Sequence, residues 1–372
     1  MGSGAQASAR TAMPAAGATI EKVADFEHQA TGVTVSEGGR IFVNFPRWSE
    51  DSPVSVAELM KDGSLKAFPN EEWNAWRNAR RDEMTPNNHW ICVQSVVADG
   101  KGNVWVLDPA APAQSFIVPG GPKLVRVSLA SNTVTQTIAF DESVAPQGSY
   151  LNDVRFSPDG KFAYISDSGV KGALVVVDLR SAKARRVIDG HPSTQAKKGL
   201  VVEADGEQLR RPDGRGIDFS ADGIALSKDG RYLYWQALKG DTLYRIPTRA
   251  LTRPDLRAAE VAAQVEPFGK NGVADGLLIA RGSEQLYFGA PEENAVKVRD
   301  LGAGAGGAPR TVVQDERLRW PDTLAQGPDG TIYVTTSHIQ DSALYRPDAP
   351  ASLPTQLWRL RPVRGGAENG TR

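Results

Sequence analysis

The chain has 372 residues, 40% of them hydrophobic and 23% charged, with a formal net charge of −1. That balance describes a globular protein with a sizeable core, and the lack of a long basic run argues against nucleic acid or an anionic membrane as partner. No stretch reaches the ~20 apolar residues of a membrane helix. The single cysteine, Cys92 beside Ile91 and Val93, excludes an intrachain disulfide and a thiolate metal site.

In chain order, residues 1–19 are Ala/Gly/Ser-rich with no apolar run and read as a cloning remnant joined to a flexible leader. A signal peptide removed at that point would make the protein periplasmic or secreted. A short strand over 20–26 follows, and then one segment recurs six times with variations. The copies begin at Thr31 (TGVTVSEGGRIFVNF), Gln94 (QSVVADGKGNVWVLD), Asn152 (NDVRFSPDGKFAYISDS), Asp222 (DGIALSKDGRYLYWQAL), Asp275 (DGLLIARGSEQLYFGAP) and Asp322 (DTLAQGPDGTIYVTTSH). Each has a polar opening, an apolar run, a Gly-bearing turn and a second strand rich in β-branched and aromatic residues. Spacings of roughly 45–70 residues with about four strands per unit are those of a propeller blade. The expectation is an all-β, six-bladed β-propeller over residues 20–362, closed by the N-terminal strand, with a disordered tail over 363–372.

The turn aspartates Asp159, Asp229 and Asp329 each precede a glycine and supply hairpin geometry rather than a calcium loop. Gly302, Gly304 and Gly307 fit a GxGxxG spacing without strand-to-helix context and read as a loop in the fifth blade. Residues 70–81 (NEEWNAWRNARR) carry the one helical pattern. Two long connections, about 62–88 with Trp73 and Trp76 and about 189–216, leave outer strands for the next inner strand. Both should emerge on one face and cover or form a site.

The first column of the repeat is the candidate site. Asn152, Asp222, Asp275 and Asp322 should point to one axis from four blades, with Thr31 and Gln94 completing the ring and Asp153 one position on. Carboxylates at such spacing repel by ~4 kcal/mol per pair at about 4 Å and an effective dielectric near 20. They need a cation, raised pKa values or hydration. Oxygen-only ligands favour Ca²⁺ first, with Mg²⁺ or Mn²⁺ as alternatives; capping of backbone N–H groups is the competing, purely structural use. The ends of the second strands, Arg47 and Trp48, Asp108, Asp167 with Ser168, Gln236, Glu292 and His338, should flank the ring. Trp48, Arg47, Gln94, Asn152, Asp153, Asp167 and Gln236 are thus candidate substrate contacts, and Asp275 and His338 candidate proton-transfer groups. His89 and His191 lie near the same face, and His28 belongs to the closing strand. The chain has no Gly-x-Ser-x-Gly elbow or Cys with a supporting His, so metal-activated water or carboxylate–His proton shuttling fits better than covalent acyl chemistry.

Stretches such as VQSVVADGKGNVWVLDPA, LNDVRFSPDGKFAYISDSGVKGALVVVDL and RWPDTLAQGPDGTIYVTTS resemble the major royal jelly protein/yellow family, in particular its bacterial members. The likeness runs from about residue 20 to 362. It implies a six-bladed propeller, secretion for many members, and a biochemistry that ranges from dopachrome conversion to ligand binding. A more distant similarity runs to the senescence marker protein/gluconolactonase family of metal-dependent lactonases. There Asp222-Gly223 looks like a ligand motif, Asp275-Gly276-Leu277 like the ligand that doubles as base, and Asn152 like the asparagine near substrate. Thr31 stands where that family has a metal-ligating Glu; Asp322, on the neighbouring blade, is the available substitute.

Three functions follow. The first is a metal-dependent hydrolase of small lactones or related cyclic esters, sited at the mouth of the channel with Asp275 as base. The second is a yellow-like tautomerase or isomerase of dopachrome-type aromatic substrates, in which a carboxylate or His338 moves protons and Trp48, Trp73 and Trp76 stack on the ring. The third is a non-catalytic secreted binder of small molecules.

Overall fold

Six four-stranded antiparallel sheets succeed one another along the chain in a computed structural model that describes residues 17–48, 51–114, 116–347 and 352–362. They form a six-bladed β-propeller. The innermost strands are Gly32–Val35, Ser95–Ala98, Leu151–Phe156, Ala221–Leu226, Asp275–Ile279 and Pro321–Gln326, in blades 1 to 6. In blade 6 the order outward is Pro321–Gln326, Ile332–Thr336, Thr355–Pro362 and Ala18–Phe26, so the first strand of the chain closes the ring against the last. Of the expected leader over 1–19, residues 1–16 lie outside the described residues, as does the tail 363–372, and Ala18 and Thr19 already belong to the closing strand.

The inner hairpin turns of blades 3, 4 and 6 follow from an Asp-Gly pair. Gly160, Gly230 and Gly330 have φ of 72°, 70° and 88°, the left-handed region that glycine enters without strain. The preceding aspartates accept from backbone N–H groups two positions on, at Lys161, Arg231 and Thr331. These carboxylates are therefore turn builders. The Gly302–Gly307 stretch joins the third and fourth strands of blade 5, and the buried Arg299 guanidinium donates to the Gly307 carbonyl.

The helix expected over 70–81 is broken into an α-turn, Glu71–Asn74, and a 3-10 stretch, Asn78–Glu83. Asn74 explains the break. Its Oδ1 accepts from the Ser55 and Val56 N–H groups while its amide donates to the Phe68 and Asn70 carbonyls, tying the segment to blade 1. Arg77 is then extended at φ −136°.

Apolar side chains of adjacent blades fill the seams, as where Leu107 and Leu124 of blade 2 meet Leu151, Val154 and Ile165 of blade 3. A separate cluster lies on the face where the long connections emerge. It joins Trp48, Trp76, Cys92, Tyr150, Val202, Leu209, Leu238, Trp320, Ile339 and Tyr345, drawn from loops of every blade. This apolar cap roofs the channel. A hairpin of Glu203–Ala204 with Glu207–Gln208 belongs to it and is latched to blade 6 by Arg319, which pairs with Asp205 and Asp341 at 2.8 Å each. Among the described residues no helix is long and apolar enough to cross a membrane.

Candidate active site

Four inner strands carry a β-bulge at the repeat's first column. Two residues oppose one on the second strand in blade 3 (Asn152 and Asp153), blade 4 (Asp222 and Gly223) and blade 6 (Asp322 and Thr323), and Gly276 is the extra residue after Asp275 in blade 5. Blades 1 and 2 pair without interruption at the same place. A bulge bends the strand and re-aims its side chains, so the four polar residues turn inward where a regular strand would alternate. The bulges are pinned by hydroxyls. Ser166 Oγ accepts from Asp153 N and donates to the Asp222 carbonyl of the next blade; Thr335 Oγ1 accepts from Thr323 N and donates to the Thr31 carbonyl of blade 1. Glycine gives the remaining clearance: a Cβ at Gly276 would lie 2.1 Å from the Asp322 carbonyl oxygen.

Asn152, Asp222, Asp275 and Asp322 line one cavity of about 20 Å³ with Gln94, Trp48, Tyr150, Ser168 and the cap residues Leu238 and Ile339. That is room for one water-sized group. Asn152 Nδ2 donates to Asp222 Oδ2 at 3.0 Å and to Ser168 Oγ at 2.9 Å. Asp275 accepts from the Trp320 indole at 2.7 Å and from Gly276 N at 2.9 Å. Asp322 accepts from the Thr323 hydroxyl at 3.2 Å.

Among the described residues no Lys or Arg pairs with any of these three carboxylates. Burial, and then the charges of Asp275 and Asp322, hold Asp222 well above the ordinary carboxyl range despite its bond from Asn152. Asp322 is raised for the same first reason, with Asp275 beside it. Burial pushes Asp275 up to about 6, against the pull of the Gly276 N–H and the Trp320 indole. Its charge is in turn one of the causes that raise Asp222. The pair therefore titrates as a unit.

Other expected contacts lie elsewhere. Asp153 turns away from the cavity, accepting from Ser95 Oγ and Arg155 at 2.8 Å each, and lines a 360 Å³ cleft on the opposite, hairpin-turn face. Arg155 also crosses the channel to the Leu277 carbonyl at 2.8 Å, partitioning that cleft from the carboxylates. Thr31 is not a cavity residue; Asn44 bonds its hydroxyl at 3.0 Å and the carbonyls of Val93 and Gln94 beyond it. Arg47 is fully buried and spends its guanidinium on the carbonyls of Ser52, Trp90, Ile91 and Asn74.

Asp108 and Asp167 clamp the chain entering their own blades, accepting from Ile91, Cys92 and Ala110 N–H groups and from Tyr150 and Gly169 N–H groups, with Lys123 and Arg186 as counter-ions. Gln236 does the same through the Gly240 and Gly272 carbonyls and Asn271. Glu292 accepts from Glu203 N. His338 has both ring nitrogens engaged, by Ser352 and Gln356, and burial lowers its pKa.

Two residues that sequence reasoning passed over complete the site. Trp320 fixes Asp275, and Tyr150 accepts from the Trp48 indole at 2.6 Å and donates to Gln94 Oε1 at 2.9 Å. Both stand two positions ahead of a first-column residue, Asp322 and Asn152, so an aromatic at that offset was the available signal. The donor set of one amide and three carboxylates suits a hard divalent cation in chemistry. As arranged, no group of three His, Cys, Asp or Glu side chains among the described residues already forms a ligand set.

On the cap side a cleft of about 390 Å³ shares Gln114, Tyr150, Ser168 and Phe219 with the cavity.

The sequence profile of the family described as Major royal jelly protein matches residues 91–351, and the chain belongs to that family. No curated protein matches it by sequence. Solved structures with the same fold include a gluconolactonase from Xanthomonas campestris (12% identity, TM-score 0.55, covering 92% of this chain and 89% of that one). They also include a putative gluconolactonase (15%, 0.53, 93% and 93%) and a luciferin-regenerating enzyme (12%, 0.54, 94% and 98%). At such identities the likeness is one of fold.

Proposed function

We propose that this member of the major royal jelly protein family is a hydrolase of small lactones or related cyclic esters, working at Asp222, Asp275 and Asp322. The observation that carries the reading is three buried carboxylates without a cationic side-chain partner among the described residues, gathered on bulges beside a cleft of substrate size. Burial at this scale is maintained against a desolvation cost. The gluconolactonases that share the fold support the same reading.

Asp275, at about 6, is ionised at neutral pH and accepts a proton from the attacking water. The Trp320 indole holds one of its oxygens, fixing the carboxyl plane. Asp275, once protonated, gives that proton to the leaving alkoxide. The apolar cap excludes bulk water and strengthens each of these interactions. A divalent cation, Ca²⁺ ahead of Mg²⁺ or Mn²⁺, held by Asn152, Asp222, Asp275 and Asp322, would supply polarisation of the ester carbonyl. Export to the periplasm or beyond is part of the same proposal.

Elemental analysis of the purified chain together with initial rates on γ- and δ-lactones tests this. The expected result is turnover with a stoichiometric divalent ion, both lost in Asp275→Ala. Absence of turnover on every lactone, or full activity in Asp275→Ala, sinks the reading. Two carboxyls in one cavity, Asp222 held well above the ordinary range and Asp275 at about 6, favour a second reading, a tautomerase that needs no metal, because a protonated donor and an ionised acceptor face the same space. Dopachrome loss followed by absorbance would then be abolished by Asp275→Asn. Neither activity, with stabilisation by a small ligand, would leave a binder.

A further inference from the structure

Three polar side-chain atoms in the wall of the 390 Å³ cleft are buried and have no hydrogen-bond partner among the described residues: Arg211 Nε, Gln114 Oε1 and Ser149 Oγ. Buried donors and acceptors are nearly always satisfied, so three orphans around one cleft need an explanation. They are chemically complementary, being a cationic donor, a carbonyl acceptor and a hydroxyl that can be either. The two arginines of the cleft differ in what they already bond. Arg215 is held by Asp213, Nε to Oδ2 at 2.8 Å, whereas the pair of Arg211 with Asp218 is long at 3.5 Å. Much of the remaining wall is apolar, and Asp218, the partner of Arg211, is its one carboxylate. Phe219 lies 6.0 Å from the Arg211 guanidinium carbon, and Phe116 and Val170 stand 38% and 85% exposed in the wall. Gln114 and Phe219 also line the carboxylate cavity.

We propose that this cleft is a binding site for the remote end of the substrate, and that the substrate class is an ester with an apolar body ending in an oxyanion. The oxyanion pairs with Arg211, the body lies on Phe219 and Phe116, and a hydroxyl or N–H of the ligand donates to Gln114. The volume is at the small end of the range for organic ligands, enough for a ring and a short chain. The inference rests on the hydrolase reading only in placing the ester carbonyl at Asp275; the anion site stands on the cleft alone. A carboxylate and a phosphate would both meet the guanidinium fork.

The test is calorimetric titration of the full chain with 4-phenylbutyrate, 4-phenylbutyramide and 3-phenylpropylphosphonate. An oxyanion should bind about tenfold more tightly than the neutral amide, and whichever anion binds better names the headgroup. Arg211→Met should erase the preference without changing amide affinity, which also reports that the cleft is folded. Arg215→Gln should keep it, since that side chain is already spent on Asp213. Equal binding of anion and amide by the unmodified chain overturns the proposal, as does an undiminished preference in Arg211→Met. The preference should persist in Asp275→Asn. Failure to turn over any lactone, with the preference intact, would count against the hydrolase and not against the cleft.

Discussion

Asp275 differs from a surface aspartate through its two N–H partners, the Gly276 backbone and the Trp320 indole, set against full burial. Its native carboxyl holds a proton more tightly than the unfolded chain does, at about 6 against 3.8. The stability contributed by the protonated form is therefore full below the unfolded value and lost as pH rises through the native one. In chelator, the urea midpoint should fall between about pH 4 and pH 6 by the equivalent of roughly 3 kcal/mol. Asp275→Asn should flatten that part of the curve, and an unchanged slope in the variant would refute the assignment. Trp320→Phe removes a donor to the ionised form. It should move the acidic limb of the pH–rate profile upward by about one unit. The four acidic and amide members of this site were legible in one repeat column, because copies of a strand share their radial position. Trp320 and Tyr150 were not, since they precede the strands and no periodicity fixes their direction. Arg47, Asp167, Gln236 and His338 share the reverse problem. Position at a strand end brings a side chain near the axis, but unpaired backbone groups of the incoming loop claim it first.

The bulge is the element that converts a repeated hairpin into a site. Sequence comparison showed the columns but not the extra residue, because a bulge changes pairing count without changing the apolar alternation beyond it. Only the hydroxyls opposite betray it: Ser166 and Thr335 each satisfy a bulged N–H and a carbonyl of the following blade. Ser166→Ala leaves Asp153 N and the Asp222 carbonyl without that partner. Its cost should be about 2 kcal/mol in the urea midpoint, with a matching loosening of Asp222 and a lower kcat. Ser166→Thr retains the hydroxyl and should restore most of both. If Ser166→Ala unfolds at the same urea concentration as the parent chain, the bulge is not held in this way. The blade hairpins themselves were readable from their Gly-bearing turns. The expected helix was not, because Asn74 is recruited into blade 1 by partners that sequence periodicity does not reveal.

At the scale of the whole molecule, closure determines whether six blades hold six directions on one axis. Strand Ala18–Phe26 pairs with Thr355–Pro362 along nearly its whole length, with one irregularity between Lys22 and Ala24. Its inward residues do the stabilising: Ala18 and Ile20 pack with Trp358 and Leu360, and Phe26 meets Phe45 of blade 1 edge-on at 5.5 Å. The exposed pairs of Glu21 with Arg359 and Arg361 on the outer edge add little by comparison. Removing residues 1–26 would strip these contacts and bare the Thr355–Pro362 strand as an open edge, a template for association. Burial of Ile20 and Phe26 alone is worth roughly 5 kcal/mol, so the melting temperature should fall by about 7 °C. Size-exclusion chromatography should show oligomers formed through that edge. A synthetic peptide of residues 17–28 added in trans should restore the monomer and part of the lost stability, since the strand supplies pairing and side chains but no covalent requirement. A truncated chain that stays monomeric and melts with the full-length protein would show that the blades close without the strand. Loss of the carboxylate pair's pH-dependent stability on truncation, and its return with the peptide, would tie the geometry of Asp222 and Asp275 to the ring as a whole.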